Sequence, residues 1–208
     1  MIGVVIALTL LPAMPRHADG EEVLKLLVFG CAGERPAPAA EKDPAVSARL
    51  KQFEDRCDAF KARTPEPPKG SDVAMAANAR WQYAQRLFAV AGGDAAAEAT
   101  QYATALRPCY EWEGFPDCPE REAVFADDYL TAHPTSAFAS FLPLLSAHRW
   151  LCAAEADEGS IRSGKPTKQT AMVHARQTYA ARLLTARASP DPLVRFAADT
   201  LEETGACR

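Results

Sequence analysis

Six cysteines are spread along this chain of 208 residues, and none of them belongs to a Cys-x-x-Cys motif. An even number of widely spaced cysteines is typical of disulfide-bonded proteins outside the cytosol and does not suit a compact metal site. The six are Cys31, Cys57, Cys109, Cys118, Cys152 and Cys207. We therefore expect a periplasmic or secreted protein in which all six are disulfide-bonded.

Sequence alone allows many pairings of six cysteines, and we predict one of them. We pair Cys31 with Cys57, Cys109 with Cys118, and Cys152 with Cys207. The central pair flanks a short non-helical segment that can fold back on itself. Cys207 lies just beyond a predicted C-terminal helix, so a bond to Cys152 would hold that end of the chain against the helix that carries Cys152. In a cytosolic protein all six would instead be buried thiols.

A short apolar run at residues 2–11 has the length of a signal-peptide core and is well short of the roughly 20 residues that span a bilayer. We predict a signal peptide at residues 1–18, a single α-helical domain at 19–208, and no stable membrane span. No Lys or Arg precedes the apolar run, as one would in a typical signal peptide. The alternative is a buried first helix or strand of a cytosolic protein.

The net charge of −4 is small, and basic residues are interspersed with acidic ones along the chain. No basic face is therefore predicted that could neutralise a nucleic-acid backbone or bind an anionic membrane surface. We expect no nucleic-acid partner, a protein or peptide partner, and no cofactor. Glycans and small molecules remain open as ligands, as does the oligomeric state.

Apolar residues recur at spacings of three and four, as they do on the buried face of a helix. The clearest case runs from Asp43 to Arg63, where Asp43 followed by Pro44 is a helix-start signal that recurs at Asp191 and Pro192. No strand-like alternation of useful length occurs. We predict an all-α fold of antiparallel helical hairpins, or an irregular bundle, stapled by disulfides. The first predicted stripe comprises Val46, Leu50, Phe53, Cys57 and Phe60.

Further helices are predicted at about 23–29, 72–91, 94–106, 118–133, 136–152, 169–187 and 192–204. Pro143 falls inside one of them and predicts a kink or a break. Residues 159–168 are predicted to form a mobile loop. The predicted inward residues of helix 72–91 are Val73, Ala77, Trp81, Ala84, Phe88 and Ala91. Those of helix 118–133 are Phe125, Tyr129 and Ala132, and those of helix 136–152 are Phe138, Phe141, Leu142, Leu145, His148 and Cys152.

The segment from Asp128 to Ala139 reads Asp-Tyr-Leu-Thr-Ala-His-Pro-Thr-Ser-Ala-Phe-Ala. It resembles the turn between successive helical hairpins in tetratricopeptide-like repeat proteins, where a helix ends in Tyr-Leu and a proline follows. The resemblance covers about 30 residues, and no 34-residue period recurs elsewhere. It implies a stack of helix pairs whose concave face holds a peptide or protein.

The loop between Cys109 and Cys118 is rich in aromatic and acidic side chains, a composition suited to stacking on a ligand and accepting hydrogen bonds from it. The alternative is that Trp112 and Phe115 pack over the helix ends and the acids are solvated. Glu111 and Asp117 could also approach one another as a glycosidase-like pair. The candidate ligand- or partner-binding residues are Tyr110, Glu111, Trp112, Glu113, Phe115 and Asp117.

His148, Cys152 and Glu155 lie on one predicted helix face and could be metal ligands, but a core histidine beside a disulfide is the favoured interpretation. The adjacent Asp127 and Asp128 do not face each other and are interpreted as solvated charges. The chain carries no recognised catalytic motif. We expect a non-enzymatic protein- or peptide-binding or scaffold module. The alternative is a small-ligand-binding or hydrolase-like protein that uses loop 110–117.

Overall fold

The computed structural model describes residues 17–31, 43–68, 70–109, 114–164 and 168–207, with the side chains of 17–19 and 72 left out. These residues form helices joined by turns, and none of them lies in a strand, so the all-α prediction is confirmed. The helices are α1 (His17–Phe29), α2 (Pro44–Arg63), α3 (Asp72–Val90), α4 (Ala96–Ala105), α5 (Asp117–Ala132), α6 (Leu142–Arg162), α7 (Gln169–Arg187) and α8 (Pro192–Thr204).

The two Asp-Pro start signals act as predicted. The Asp43 carboxylate accepts a hydrogen bond from the backbone N–H of Ala45 at 2.8 Å, and proline fills the first turn of α2. The Asp191 carboxylate accepts from the N–H of Leu193 at 2.9 Å at the start of α8. Each carboxylate satisfies a backbone donor that has no partner within the helix.

Helix α6 lies at the centre of the core, where it packs against α5, α7 and α8. Every residue from Leu142 to Ala154 is buried, including His148 and Arg149. Around it, α3 packs against α2 and α4, while α1 packs against α8 and α3. All six predicted inward residues of the segment 138–152 are buried, and so is the whole predicted stripe of α2.

The predicted inward face of α3 is wrong in its first half. Val73 is 82% exposed, whereas from Trp81 onward nearly every α3 residue is buried. The reason is that only the C-terminal half of α3 is surrounded by other helices. A regular apolar spacing predicts a face but not how far along the helix that face is covered.

The predicted inward face of α5 is confirmed for Phe125 and Tyr129, which are half-buried against the core, and is wrong for Ala132, which is exposed. The same helix also buries Glu122, which is 1% exposed. Burial of a carboxylate is tolerated here because Arg149 of α6 pairs with it across the interface. Residue hydrophobicity alone could not reveal that partner.

Of the predicted kink or break at Pro143 the structure has the break, because α6 begins at Leu142 and Pro143 lies in its first turn, where its missing N–H costs no hydrogen bond. Residues 136–141 form turns rather than the predicted helical start. The predicted loop at 159–168 is likewise too long, since α6 continues to Arg162. Residues 165–167 lie outside the described ranges.

The three predicted disulfides are present, with Cα–Cα distances of 5.9 Å for Cys31–Cys57, 5.5 Å for Cys109–Cys118 and 4.9 Å for Cys152–Cys207. Gly205 ends α8 with a φ of 57°, a left-handed conformation that favours glycine. This turn directs the chain so that Cys207 reaches α6.

Within the described residues, no helix combines the length and the apolar character needed to cross a bilayer. The predicted signal peptide ends at residue 18, which falls in the first turn of α1, and residues 1–16 lie outside the described ranges. The signal peptide and the single domain from residue 19 stay predictions.

Candidate functional site

A groove with a volume of about 500 Å³ lies along one side of α3. Seven α3 residues between Ala74 and Arg86 line it at helical spacing. The facing side is formed by Phe29 at the end of α1, the segment Pro108–Cys109, and Arg149 of α6. We call it the α3 groove.

The α3 groove deepens from the start of the helix toward its middle. At the shallow end Met75 is 38% exposed. At the deep end Tyr83 is 7% and Arg86 only 2% exposed. The groove therefore has an open, apolar end and a closed end with a buried polar floor.

Glu122 is the hub of that polar floor. Its carboxylate accepts hydrogen bonds from the Tyr83 hydroxyl, from Arg149 Nε at 2.6 Å and from the Cys109 backbone N–H at 2.6 Å. Burial opposes ionisation of Glu122, but Arg149 and these hydrogen bonds outweigh it and hold the pKa of the carboxyl below its ordinary value. Burial and the neighbouring Glu122 charge raise the pKa of Tyr83, which remains a neutral donor.

Arg149 joins the floor to the core. Besides Glu122, its guanidinium contacts His148 Nδ1 at 3.1 Å and donates to the Val28 carbonyl at 3.2 Å. Because the guanidinium can only donate, His148 Nδ1 accepts, which puts the imidazole proton on Nε2. Burial lowers the pKa of His148 well below its ordinary value, and the charges of Arg149 and Arg86 lower it further.

Arg86 is the one member of the floor with spare hydrogen-bonding capacity on a charged group. Its Nη1 donates to the Val28 carbonyl, and its guanidinium carbon lies 4.0 Å from the centre of the Tyr83 ring. Its Nε and Nη2 are buried and have no hydrogen-bond partner among the described residues. Buried polar groups are usually hydrogen-bonded, so these two donors require an explanation, which a bound ligand would supply.

Among the described residues, the floor carries more positive than negative charge. Arg86 and Arg149 are cationic, the Glu122 carboxylate is paired with Arg149, and His148 is neutral. A buried charge without a counter-charge is unfavourable. The site is therefore electrostatically suited to an anionic group.

The candidate residues of loop 110–117 are only partly described. Tyr110, Glu111, Trp112 and Glu113 lie outside the described residues, so the predicted pairing of Glu111 with Asp117 stays a prediction. Phe115 is 57% exposed, and Trp112, the other residue of the predicted cover over the helix ends, lies outside the described residues. Asp117 is exposed in the first turn of α5.

The helix face that presents His148, Cys152 and Glu155 is built into the core. His148 is buried, Cys152 is bonded to Cys207, and the Glu155 carboxylate accepts from the Cys207 backbone N–H at 3.2 Å. His148, Cys152 and Cys207 place their ligand atoms within 4.8 Å of one another. Thiolates bind metals and disulfide sulfurs do not, so this cluster is not a metal site in the oxidised protein.

The two adjacent aspartates have different environments. Asp127 forms an ion pair with Arg182 at 2.8 Å and accepts from the Trp150 indole N–H at 3.2 Å, so it is not the solvated charge that we predicted. Asp128 is exposed, as expected. Asp127 thus helps to hold α5, α6 and α7 together.

Sequence reasoning did not identify Tyr83, Arg86 or Glu122 as site residues. The one available signal was a charge within an apolar helical stretch, as in Arg86 before Leu87 and Phe88. A charged residue in such a stretch is buried only when it has a partner or a ligand. The partners come from α5 and α6, which are distant in sequence.

No family model, curated protein or solved structure matches the chain. The geometry of the α3 groove is therefore the basis for the functional argument.

The depressed pKa of His148 predicts a loss of stability in mild acid. Between pH 7 and 5 the unfolded chain binds a proton on this imidazole that the native state excludes, because Arg86 and Arg149 face it and the Phe29 ring covers it. Stability then falls as pH falls, with a slope approaching about 1.4 kcal/mol per pH unit below about pH 6.

Urea unfolding at several pH values measures this slope. The variant His148→Gln should lose about one proton's worth of slope. Equal slopes in the wild type and this variant would contradict a neutral native His148.

Proposed function

We propose that this chain is an exported, non-enzymatic helical binding protein that holds an extended peptide segment of a partner in the α3 groove. The observation that carries the proposal is the groove itself, which has an apolar open end, a buried polar floor and a volume of about 500 Å³. Three disulfides within a helical core support export, because such bonds persist in oxidising compartments.

The shape of the groove favours a peptide over a compact ligand. From Ala74 to Arg86 it follows α3 for about 18 Å at 1.5 Å per residue. An extended chain advances about 3.3 Å per residue, so the groove accommodates about five residues. A helix is about 10 Å wide and does not fit at the buried end, where Arg86 is 2% exposed.

The groove surface suits alternating contacts with such a chain. Ala74 and Ala79 leave room beside α3, and Met75 offers a flexible apolar contact. Gln82 donates to Asn78 at 2.8 Å and Asn78 donates to Glu66 at 3.0 Å, so a peptide backbone would pair with the remaining capacity of these two amide groups. The tetratricopeptide-like arrangement of helix pairs remains a hypothesis that is compatible with this binding mode.

A small-molecule ligand is the second candidate, because the groove volume lies within the roughly 300–1,000 Å³ of small-molecule sites and Cys109, which begins the aromatic loop, lines it. A hydrolytic function finds less support. Glu122 accepts three hydrogen bonds, so its carboxylate is not available as a general base.

The proposal predicts that filling the groove abolishes peptide binding. The oxidised protein is incubated with a synthetic library of random pentapeptides, and retained peptides are identified by mass spectrometry and measured by calorimetry. Ala79→Trp places an indole in the groove and should weaken binding of the retained peptides by at least about tenfold, equivalent to about 1.4 kcal/mol.

The matched control is Val73→Trp, which adds the same indole at an exposed α3 position that does not line the groove. It should bind peptides as the wild type does. Retention of no pentapeptide by the wild type, or equal binding by both tryptophan variants, would overturn the proposal.

A further inference from the structure

We propose that the closed end of the α3 groove is a carboxylate-binding site that receives the C-terminal carboxylate of the bound peptide. This inference rests on the proposed function and adds the chemical group that the site selects and the direction in which the peptide lies. It is carried by the spare donors of Arg86, by the charge of the floor and by the shape of the groove.

The spare donors of Arg86 have the geometry that a carboxylate requires. With Nη1 engaged by the Val28 carbonyl, Nε and Nη2 remain, and they lie on the same edge of the planar guanidinium. These two parallel N–H groups form the fork that binds both oxygens of a carboxylate. Contact with the Tyr83 ring holds the plane of the guanidinium in place, and because both nitrogens are shielded from solvent, a carboxylate reaches them only when neighbouring side chains of the groove move aside.

The charge of the floor supplies the second, independent argument. Among the described residues of the floor, Arg86 and Arg149 face one carboxylate, that of Glu122, which is already bonded to Arg149, Tyr83 and Cys109. One ligand carboxylate would balance the excess positive charge. A cationic group at the same place would meet two guanidinium groups and be repelled.

The shape of the groove indicates a chain terminus rather than an acidic side chain. Beyond Arg86, residues Leu87 to Val90 are all buried, so an extended peptide cannot continue past this point. The open end is at Met75, where the remainder of the partner leaves the groove. The peptide therefore lies with its last residue against Arg86 and its N-terminal side toward the start of α3.

The first test compares two matched libraries on the wild-type protein. Random pentapeptides with a free C-terminal carboxylate should be retained, and the same sequences with a C-terminal amide should bind at least about tenfold more weakly, since each lacks a charge-assisted bidentate contact. Acetylated single amino acids with a free carboxylate are tested as a second set of ligands. If they bind as tightly as the pentapeptides, the site recognises a small organic acid, which would overturn the peptide assignment.

The outcomes separate this inference from the proposed function. Equal binding of acid and amide pentapeptides would leave peptide binding intact and overturn carboxylate recognition. Binding of neither would overturn both.

The second test alters the fork. Arg86→Gln should remove the preference for the free acid, and Arg86→Lys, which retains the charge without the planar fork, should recover only part of it. Arg80→Gln on the exposed side of α3 is the matched control and should preserve the full preference. Circular dichroism verifies folding of each variant, and if Arg86→Gln does not fold, the acid-to-amide comparison on the wild type decides the matter.

Discussion

Replacement of Glu122 by glutamine is expected to lower the free energy of unfolding by about 3–5 kcal/mol. The substitution preserves shape but removes the negative charge that faces Arg149 and Arg86 in a site where Glu122 is 1% exposed. Two cationic groups are then buried without a counter-charge. Urea unfolding at pH 7, followed by circular dichroism, measures the change.

The same variant should lose part of the acid sensitivity of the protein. The native pKa of Glu122 lies below its unfolded value, so its stabilising contribution is present above about pH 4.3 and is lost as pH falls through the native pKa. Glu120→Gln, in the first turn of the same helix, is the control and should cost no more than about 1 kcal/mol. Equal stability of the two variants would show that the Glu122 network contributes nothing net.

Removal of the Cys152–Cys207 bridge is expected to have a comparably large effect. This bond closes the longest of the three loops, with a sequence separation of 55 residues, and it fixes the end of α8 to the central helix α6. If the bond acts by lowering the conformational entropy of the unfolded chain, a loop of this length adds about 4 kcal/mol to the free energy of unfolding. We expect a loss of that size in a double variant with alanine at both positions.

The Cys109–Cys118 bridge provides the matched comparison, because it closes a loop with a separation of only 9 residues. Its double alanine variant should lose about 2.7 kcal/mol on the same relation. Urea unfolding of both variants under non-reducing conditions gives the order directly. A larger loss from the short loop would show that native packing around Cys109, which donates to Glu122, outweighs the entropy of loop closure.

Much of the local structure could be predicted from sequence because it depends on neighbouring residues. The Asp-Pro starts of α2 and α8 and the apolar stripe of α2 follow from backbone capping and from a period of 3.6 residues. The pairing of Cys152 with Cys207 was predictable because it needed only the end of α8 and a nearby helix.

The candidate site was predicted incompletely, because its members become neighbours only through packing. Arg86, Glu122 and Arg149 lie on three different helices, and packing brings Glu122 of α5 against Arg149 of α6 and buries all three. The loop that the sequence singled out begins at Cys109, at the edge of the groove, whereas the functional groups lie on α3, α5 and α6. The aromatic and acidic composition of loop 110–117 identified the edge of the groove but not the residues that form its floor.

By itself the sequence determined most of the helices and the Asp-Pro starts of α2 and α8, since these depend on periodicity and on local hydrogen bonds, and it allowed the observed cysteine pairing as one of many. Tertiary structure alone decided which charges are buried and where a groove remains open. The physical reason is that the free energy of a buried charge depends on what surrounds it, and those neighbours are supplied by distant segments of the chain.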